Sequence, residues 1–211
     1  MKKQGYIYLI VACVLLAAFI ALTICLLLVD VRAAGESGAE VGFATINQKV
    51  WQAIGQSAAA LTVSEVCGLC MIAAVGAFGI TGLVQVIRRK GFLRADKELY
   101  VMAGGLMLLA AAYVFFEIFV VNYRPVLDGG ELAASYPSSH AMLATAVAGM
   151  GMAYLHSRQR KGVLINVLIG LLNGVSVATV ACRLLGGVHW LSDIVGGVLL
   201  GMVIVYAYRA V

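Results

Sequence analysis

The chain has 211 residues, of which 63% are hydrophobic and 12% charged, with a formal net charge of +5. Its mean hydropathy is +0.99. A soluble domain of this size is roughly half apolar and a quarter charged. The composition therefore excludes an ordinary soluble fold and points to an integral membrane protein. The positive charge is not a nucleic-acid footprint, because it is divided into short clusters between apolar runs. No polar stretch is long enough for a second domain, so residues 1–211 are expected to form one membrane domain.

In chain order, the first apolar run is Tyr6–Val29. It is too long for the hydrophobic region of a signal peptide and is read as a retained anchor. The polar stretch 30–60 follows. Within it, Ile46, Val50, Trp51 and Ile54 recur at helical spacing, which fits either a short amphipathic helix at the membrane interface with Trp51 at headgroup depth or an ordinary covering loop. Further spans are expected at Leu61–Ile87, Leu99–Val121, Ser139–Leu155, Val163–Ala181 and Trp190–Ala207. Each is close to the ~20 residues a helix needs to cross the hydrocarbon layer. Cys67 and Cys70 lie inside one such run, with no second pair and no nearby histidine. They read as helix packing rather than as a metal or redox site. Glu65 lies near one end of the same run, and an ionisable residue there is a functional suspect.

The connections give an orientation. Lys2 and Lys3 precede the first span; Arg88, Arg89, Lys90, Arg94 and Lys97 follow the second; Arg158, Arg160 and Lys161 follow the fourth; Arg209 ends the sixth. The positive-inside rule places all of these in the cytoplasm, with both termini. Residues 30–60, 122–138 and 182–189 then lie outside. The expected fold class is all-α: a six-helix membrane bundle with its site at the outer ends of the helices.

The outer edge collects a distinctive set. Arg124 and Arg183 each sit at the end of a span, as do His140 and His189, and Asp193 follows His189 by four residues. On a helix that spacing places the carboxylate and the imidazole on one face, where a carboxylate fixes the tautomer of its partner. Pro137, Ser138 and Ser139 lead into the fourth span, and a helix start binds phosphate through free N–H groups and the helix dipole. Arginine forks suit phosphate oxygens. Two histidines can divide nucleophilic attack from leaving-group protonation. Asp128 and Glu131 read as solvated loop charges.

Three segments carry a family resemblance: "EIFVVNYRP" from Glu117, "PSSH" from Pro137 and "CRLLGGVHWLSD" from Cys182. They resemble the signature of the type 2 phosphatidic acid phosphatase family, the membrane branch of a superfamily that includes vanadium haloperoxidases. The family pattern is Lys-x6-Arg-Pro, Pro-Ser-Gly-His and Ser-Arg-x5-His-x3-Asp. Here Glu117 stands at the lysine position, Ser139 at the glycine and Cys182 at the first serine. The resemblance implies that His189 is the nucleophile, that Asp193 orients it and that His140 is the general acid. It implies that Arg124, Arg183, Ser138 and Ser139 bind the phosphoryl group. It implies no cofactor and no metal. The substrate would be a lipid phosphate monoester or diphosphate, such as polyprenyl diphosphate, phosphatidic acid or phosphatidylglycerol phosphate. The partners would be membrane lipids, with no nucleic acid. Glu117 reverses the sign of a pocket charge. It therefore also suggests a catalytically impaired homologue that binds anionic lipid or a protein partner. A phosphotransferase to another acceptor would use the same chemistry as a hydrolase.

Overall fold

The computed structural model describes residues 3–158 and 162–211. Lys2, Arg160 and Lys161, which contributed to the orientation above, lie outside the described residues. Seven α-helices dominate: α1 (Lys3–Leu28), α2 (Ala44–Ile54), α3 (Ala58–Arg88), α4 (Lys97–Ile118), α5 (Ser139–Ser157), α6 (Val163–Leu185) and α7 (Leu191–Ala210). A two-stranded antiparallel hairpin, β1 (Arg32–Ala33) with β2 (Glu40–Val41), precedes α2.

Among the described residues, five helices are long and apolar enough to cross a membrane: α1, α3, α4, α6 and α7. The expected span Ser139–Leu155 is not among them. It corresponds to α5, whose sequence is rich in Ala, Gly and Met and which has α3, α4, α6 and α7 packed around it. A central helix contacts protein on most sides and needs little lipid-like surface. Its 19 residues give a length of about 28 Å at the α-helical rise.

Small residues set how closely α5 and α7 approach. A Cβ on Gly197 would lie 2.6 Å from the Ser138 backbone oxygen, and one on Gly201 would lie 2.7 Å from Thr145 Cβ. Such close backbone contact is how helices associate where lipid removes the hydrophobic drive. At one end of the bundle an aromatic group fixes the chain entering α5. Phe19 stacks on Tyr136 at 5.9 Å, Phe116 meets the same ring edge-on at 5.7 Å, and Thr23 Oγ1 lies 2.8 Å from the Tyr136 hydroxyl. Burial pushes that hydroxyl far above its usual range, so it stays protonated.

The opposite end carries the basic clusters. Asp96, at the start of α4, pairs with Arg89 at 3.0 Å and with Arg158 at 2.6 Å, and it accepts from Tyr154 and Gln85. Burial alone would raise its carboxyl. The hydrogen bonds and the Arg158 charge outweigh that and hold it below the usual range. This one carboxylate ties α3, α4 and α5 together.

Stretch 30–60 forms a folded cover that contains the expected helix as α2. Trp51 Nε1 donates to the Gly187 carbonyl at 2.8 Å, and its ring tilts against Trp190. The buried face of α2 is Ala44 and Asn47, whereas Ile46 is exposed. Asn47 explains the difference. It donates to Ser192 Oγ at 2.9 Å and accepts from Ser192 N at 3.2 Å, so a polar residue turns α2 towards the start of α7.

Candidate active site

Segment 122–138 folds back on itself as an irregular hairpin. Arg124 N donates to Ala133 O at 3.0 Å, Ser135 N to Asn122 O at 2.9 Å and Asp128 N to Glu131 O at 2.9 Å. Its tip is Gly129-Gly130 with φ of 62° and 91°, left-handed geometry that glycine adopts without steric cost. This fold brings Arg124 from one strand beside Ser135 from the other.

His189 is buried in the short connection between α6 and α7, just before the first residue of α7. The sequence placed it on one helical face with Asp193, in direct contact. In the structure its Nδ1 is 3.9 Å from Asp193 Oδ2, and Ser135 Oγ stands between them. Ser135 Oγ is 3.0 Å from Nδ1 and donates to Asp193 Oδ2 at 2.5 Å. Asp193 is fully buried. It also accepts from Trp190 N at 2.9 Å and from Asn122 Nδ2 at 3.0 Å, with Ser192 Oγ at 3.5 Å.

This relay fixes the tautomer. A carboxylate accepts only, so the Ser135 hydroxyl proton points at Asp193. Its oxygen is then free to accept from Nδ1–H, which leaves the lone pair of His189 on Nε2. Nε2 is buried with no hydrogen-bond partner. Burial, then the charges of Arg183, Arg124 and His140, hold this imidazole well below its ordinary pKa and therefore neutral. A small cavity of about 20 Å³ beside it is lined by His189, Ser139, Arg124, Ser135 and Glu117.

His140, the second residue of α5, has Nε2 3.2 Å from Glu65 Oε2, and its Nδ1 is buried without a partner. Arg183 occupies the last turn of α6 rather than a loop. It is buried, bonds the other Glu65 oxygen, and reaches Ser64 Oγ at 3.4 Å. A second cavity of about 550 Å³ is lined by Arg124, Arg183, Glu65 and Asp128.

The remaining expected residues divide. Ser139 lines the small cavity. Ser138 does not: its Oγ is buried as the N-cap of α5 and accepts from Ala141 N at 3.5 Å, while its own N donates to Asp193 O at 3.0 Å. The N–H groups of Ser139 and His140 are left without intrahelical partners, as at any helix start. Glu117 is exposed at the cavity edge and pairs with no cation among the described residues. Arg124 instead pairs with the exposed Asp128 at 2.8 Å, so Asp128 is not a free loop charge. Among the described residues, no group of three His, Cys, Asp or Glu side chains is placed to hold a metal ion.

Sequence reasoning missed Ser135, Asn122 and Asn47 and gave Glu65 no role in any motif. Nothing local marks the first three. Glu65 carried one signal, its charge inside an apolar run.

Together these features describe a multi-pass helical membrane protein in which two arginines, two histidines and a helix start gather at one end of the bundle. The model of the PAP2 superfamily matches residues 67–211, and the chain belongs to that family, the type 2 phosphatidic acid phosphatases. In general terms it is a membrane lipid phosphatase. No curated protein matches the chain. Among solved structures it is similar to the first transmembrane PAP2-type phosphatidylglycerolphosphate phosphatase from Bacillus subtilis, at 19% identity over 76% of this chain and 89% of that one, with a TM-score of 0.46.

Proposed function

We propose that the protein hydrolyses a lipid phosphate ester or diphosphate through a phosphohistidine on His189. One observation carries this reading. His189, which lines the small cavity with Arg124 and Ser139, has a buried, unpartnered Nε2, while its Nδ1 is held through Ser135 to Asp193. A neutral imidazole held in one tautomer, with its lone pair at a cationic pocket, is what attack on phosphorus requires.

In the proposed reaction, His189 Nε2 forms a bond to phosphorus and the bond to the lipid oxygen breaks. That oxygen takes a proton from His140. Water then attacks the phosphohistidine, gives its proton to His140, and inorganic phosphate leaves. Arg124, Arg183 and the N–H groups of Ser139 and His140 stabilise the equatorial oxygens. Ser138 acts by capping α5, which holds those N–H groups in place. Asp193 orients His189 through Ser135. The substrate class is a lipid whose tail stays in the bilayer while its phosphate enters from the outer face. Support for the outer face is the position of Arg88, Arg89, Lys97 and Arg158 around the far end of the bundle. Polyprenyl diphosphate, phosphatidic acid and phosphatidylglycerol phosphate are the candidates.

The test is phosphate release from these three lipids by the purified protein, with His189→Ala as the control. Release that disappears in the variant supports the reading. No release from any of them, or release unchanged in the variant, overturns it. Product analysis with added lipid or sugar acceptors separates hydrolysis from phosphotransfer. A second reading, anionic-lipid binding without turnover, is favoured by one observation: both arginines already hold a carboxylate of the protein, Asp128 and Glu65. Tight phospholipid binding with no turnover, unchanged by His140→Ala, would select it.

A further inference from the structure

We infer that Glu65 is a positioning residue that holds Arg183 and His140 as one unit, the phosphate grip in one hand and the proton donor in the other. This rests on the reaction proposed above. It extends that reaction to α3, a helix that carries none of the three motif segments. The family match begins at residue 67, so Glu65 also lies outside it.

Three neighbouring positions on α3 form the seat. The Glu65 carboxylate places Oε1 on Arg183 NH1 and Oε2 3.2 Å from His140 Nε2. Ser64, fully buried, offers its Oγ to the same guanidinium at 3.4 Å. Gly68, one turn further on, lets the helix come against the imidazole: a Cβ there would lie 2.8 Å from His140 Cδ2. Residues three apart share a helix face, so Glu65 and Gly68 approach His140 together.

The chemistry follows from what each partner would lose. Arg183 is buried, its Nε has no partner, and Glu65 is its one ion-pair partner among the described residues. Without that carboxylate the guanidinium would be an uncompensated buried charge. For His140, burial is the chief influence against the charged ring, and like charge from Arg183 on α6 and Arg124 in the 122–138 hairpin adds to it. Glu65 is the opposing charge. A carboxylate on Nε2 stabilises the doubly protonated ring and leaves Nδ1–H as the transferable proton. Nδ1 is the nitrogen without a partner. The site thus holds two histidines by the same device: Asp193 through Ser135 leaves Nε2 of His189 free, and Glu65 leaves Nδ1 of His140 free.

The experiment compares native protein, Glu65→Gln, Glu65→Asp and His189→Ala in detergent micelles. The substrates are dioleoyl phosphatidic acid and p-nitrophenyl phosphate, with inorganic phosphate as inhibitor. General acid catalysis is worth about 10²–10⁴-fold, so Glu65→Gln should lower kcat on phosphatidic acid by about 100-fold. The loss on p-nitrophenyl phosphate should be much smaller, because its leaving group departs without a proton. Inhibition by inorganic phosphate should weaken as Arg183 loses its seat. Glu65→Asp should recover part of kcat. Equal losses on both substrates with unchanged phosphate inhibition would overturn the proposal. So would tighter phosphate inhibition with undiminished kcat, since Glu65 would then only compete with substrate. If Glu65→Gln does not yield folded protein by size exclusion, Glu65→Asp decides: the same ordered losses on a smaller scale support the role, and native behaviour overturns it. Loss of all release in His189→Ala keeps the phosphatase reading whatever Glu65 does. A native protein inert towards p-nitrophenyl phosphate and towards all three candidate lipids, or undiminished release in His189→Ala, overturns that reading and this one with it.

Discussion

Ser135 Oγ lies 3.0 Å from His189 Nδ1 and occupies the place at which a direct carboxylate contact was expected. The orienting charge of Asp193 therefore reaches the imidazole through a hydroxyl. A relay of this kind has one weak joint, since the serine must be present for the carboxylate to act.

Removing that joint gives the first prediction. Ser135→Ala should lower kcat by about 10–100-fold, the cost typical of losing a second-tier orienting group, with KM changed less. Asp193→Asn should cost at least as much, because the amide keeps one accepting oxygen where the carboxylate uses two, Oδ2 for Ser135 and Trp190 N and Oδ1 for Asn122. Steady-state phosphate release measures both. A Ser135→Ala protein with native kcat would show that Asp193 acts without the relay.

Glu117 stands at the small cavity with His189 and Arg124 and pairs with no cation among the described residues. Glu117→Lys reverses a charge at the mouth of a phosphate pocket. It should tighten inhibition by inorganic phosphate by about tenfold, on the order of 1.4 kcal/mol. A fall in phosphate affinity would mean that the glutamate is used as it stands.

His189 is held neutral, its pKa well below the ordinary value of about 6.5. The unfolded chain binds a proton there at a pH where the folded chain does not. Stability from this group is therefore full above about pH 6.5 and falls as pH drops towards the folded value, by at most about 1.4 kcal/mol per pH unit. Between pH 7 and pH 5, the Tm of the native protein should fall more steeply than that of His189→Asn. Parallel slopes in a thermal scan would contradict the burial argument.

Gly197 faces the Ser138 backbone oxygen at a distance no side chain tolerates. Gly197→Ala should push the start of α5 away from α7, costing about 1–3 kcal/mol as overpacking does. Because Ser138 and His140 ride on that helix start, activity should fall together with Tm. A Tm loss with native kcat would show that the helix start tolerates displacement.

How much of this was legible in the sequence depended on range. Arg124, His140, Arg183, His189 and Asp193 could be singled out as candidates because spacing within a short segment survives in one dimension, and the structure gathers them at one end of the bundle. Ser135, Asn122 and Asn47 were not. Their partners Asp193 and Ser192 lie far along the chain, and a serine or asparagine in a loop has many bland reasons to be there. The apolar runs gave the helices that face lipid. They also marked α5 close to its ends but not its central place, because a helix enclosed by protein and one enclosed by lipid look alike until the small residues have partners. For α2 the apolar spacing gave the helix, with Val50, Trp51 and Ile54 half-buried, but it could not show that Asn47 would be buried beside them while Ile46 stays exposed.

The contacts of α2 have a wider consequence. Trp51 holds the Gly187 carbonyl, Asn47 caps Ser192, and Gly42 N donates to Asn122 at 3.1 Å. Each of these reaches the loop that carries His189, or a hydrogen-bonding neighbour of Asp193, from a part of the chain that precedes every motif. Substitutions in this leading segment can therefore retune the reaction without altering any residue of the signature. Two proteins with identical signatures but different leading segments need not share a rate or a substrate.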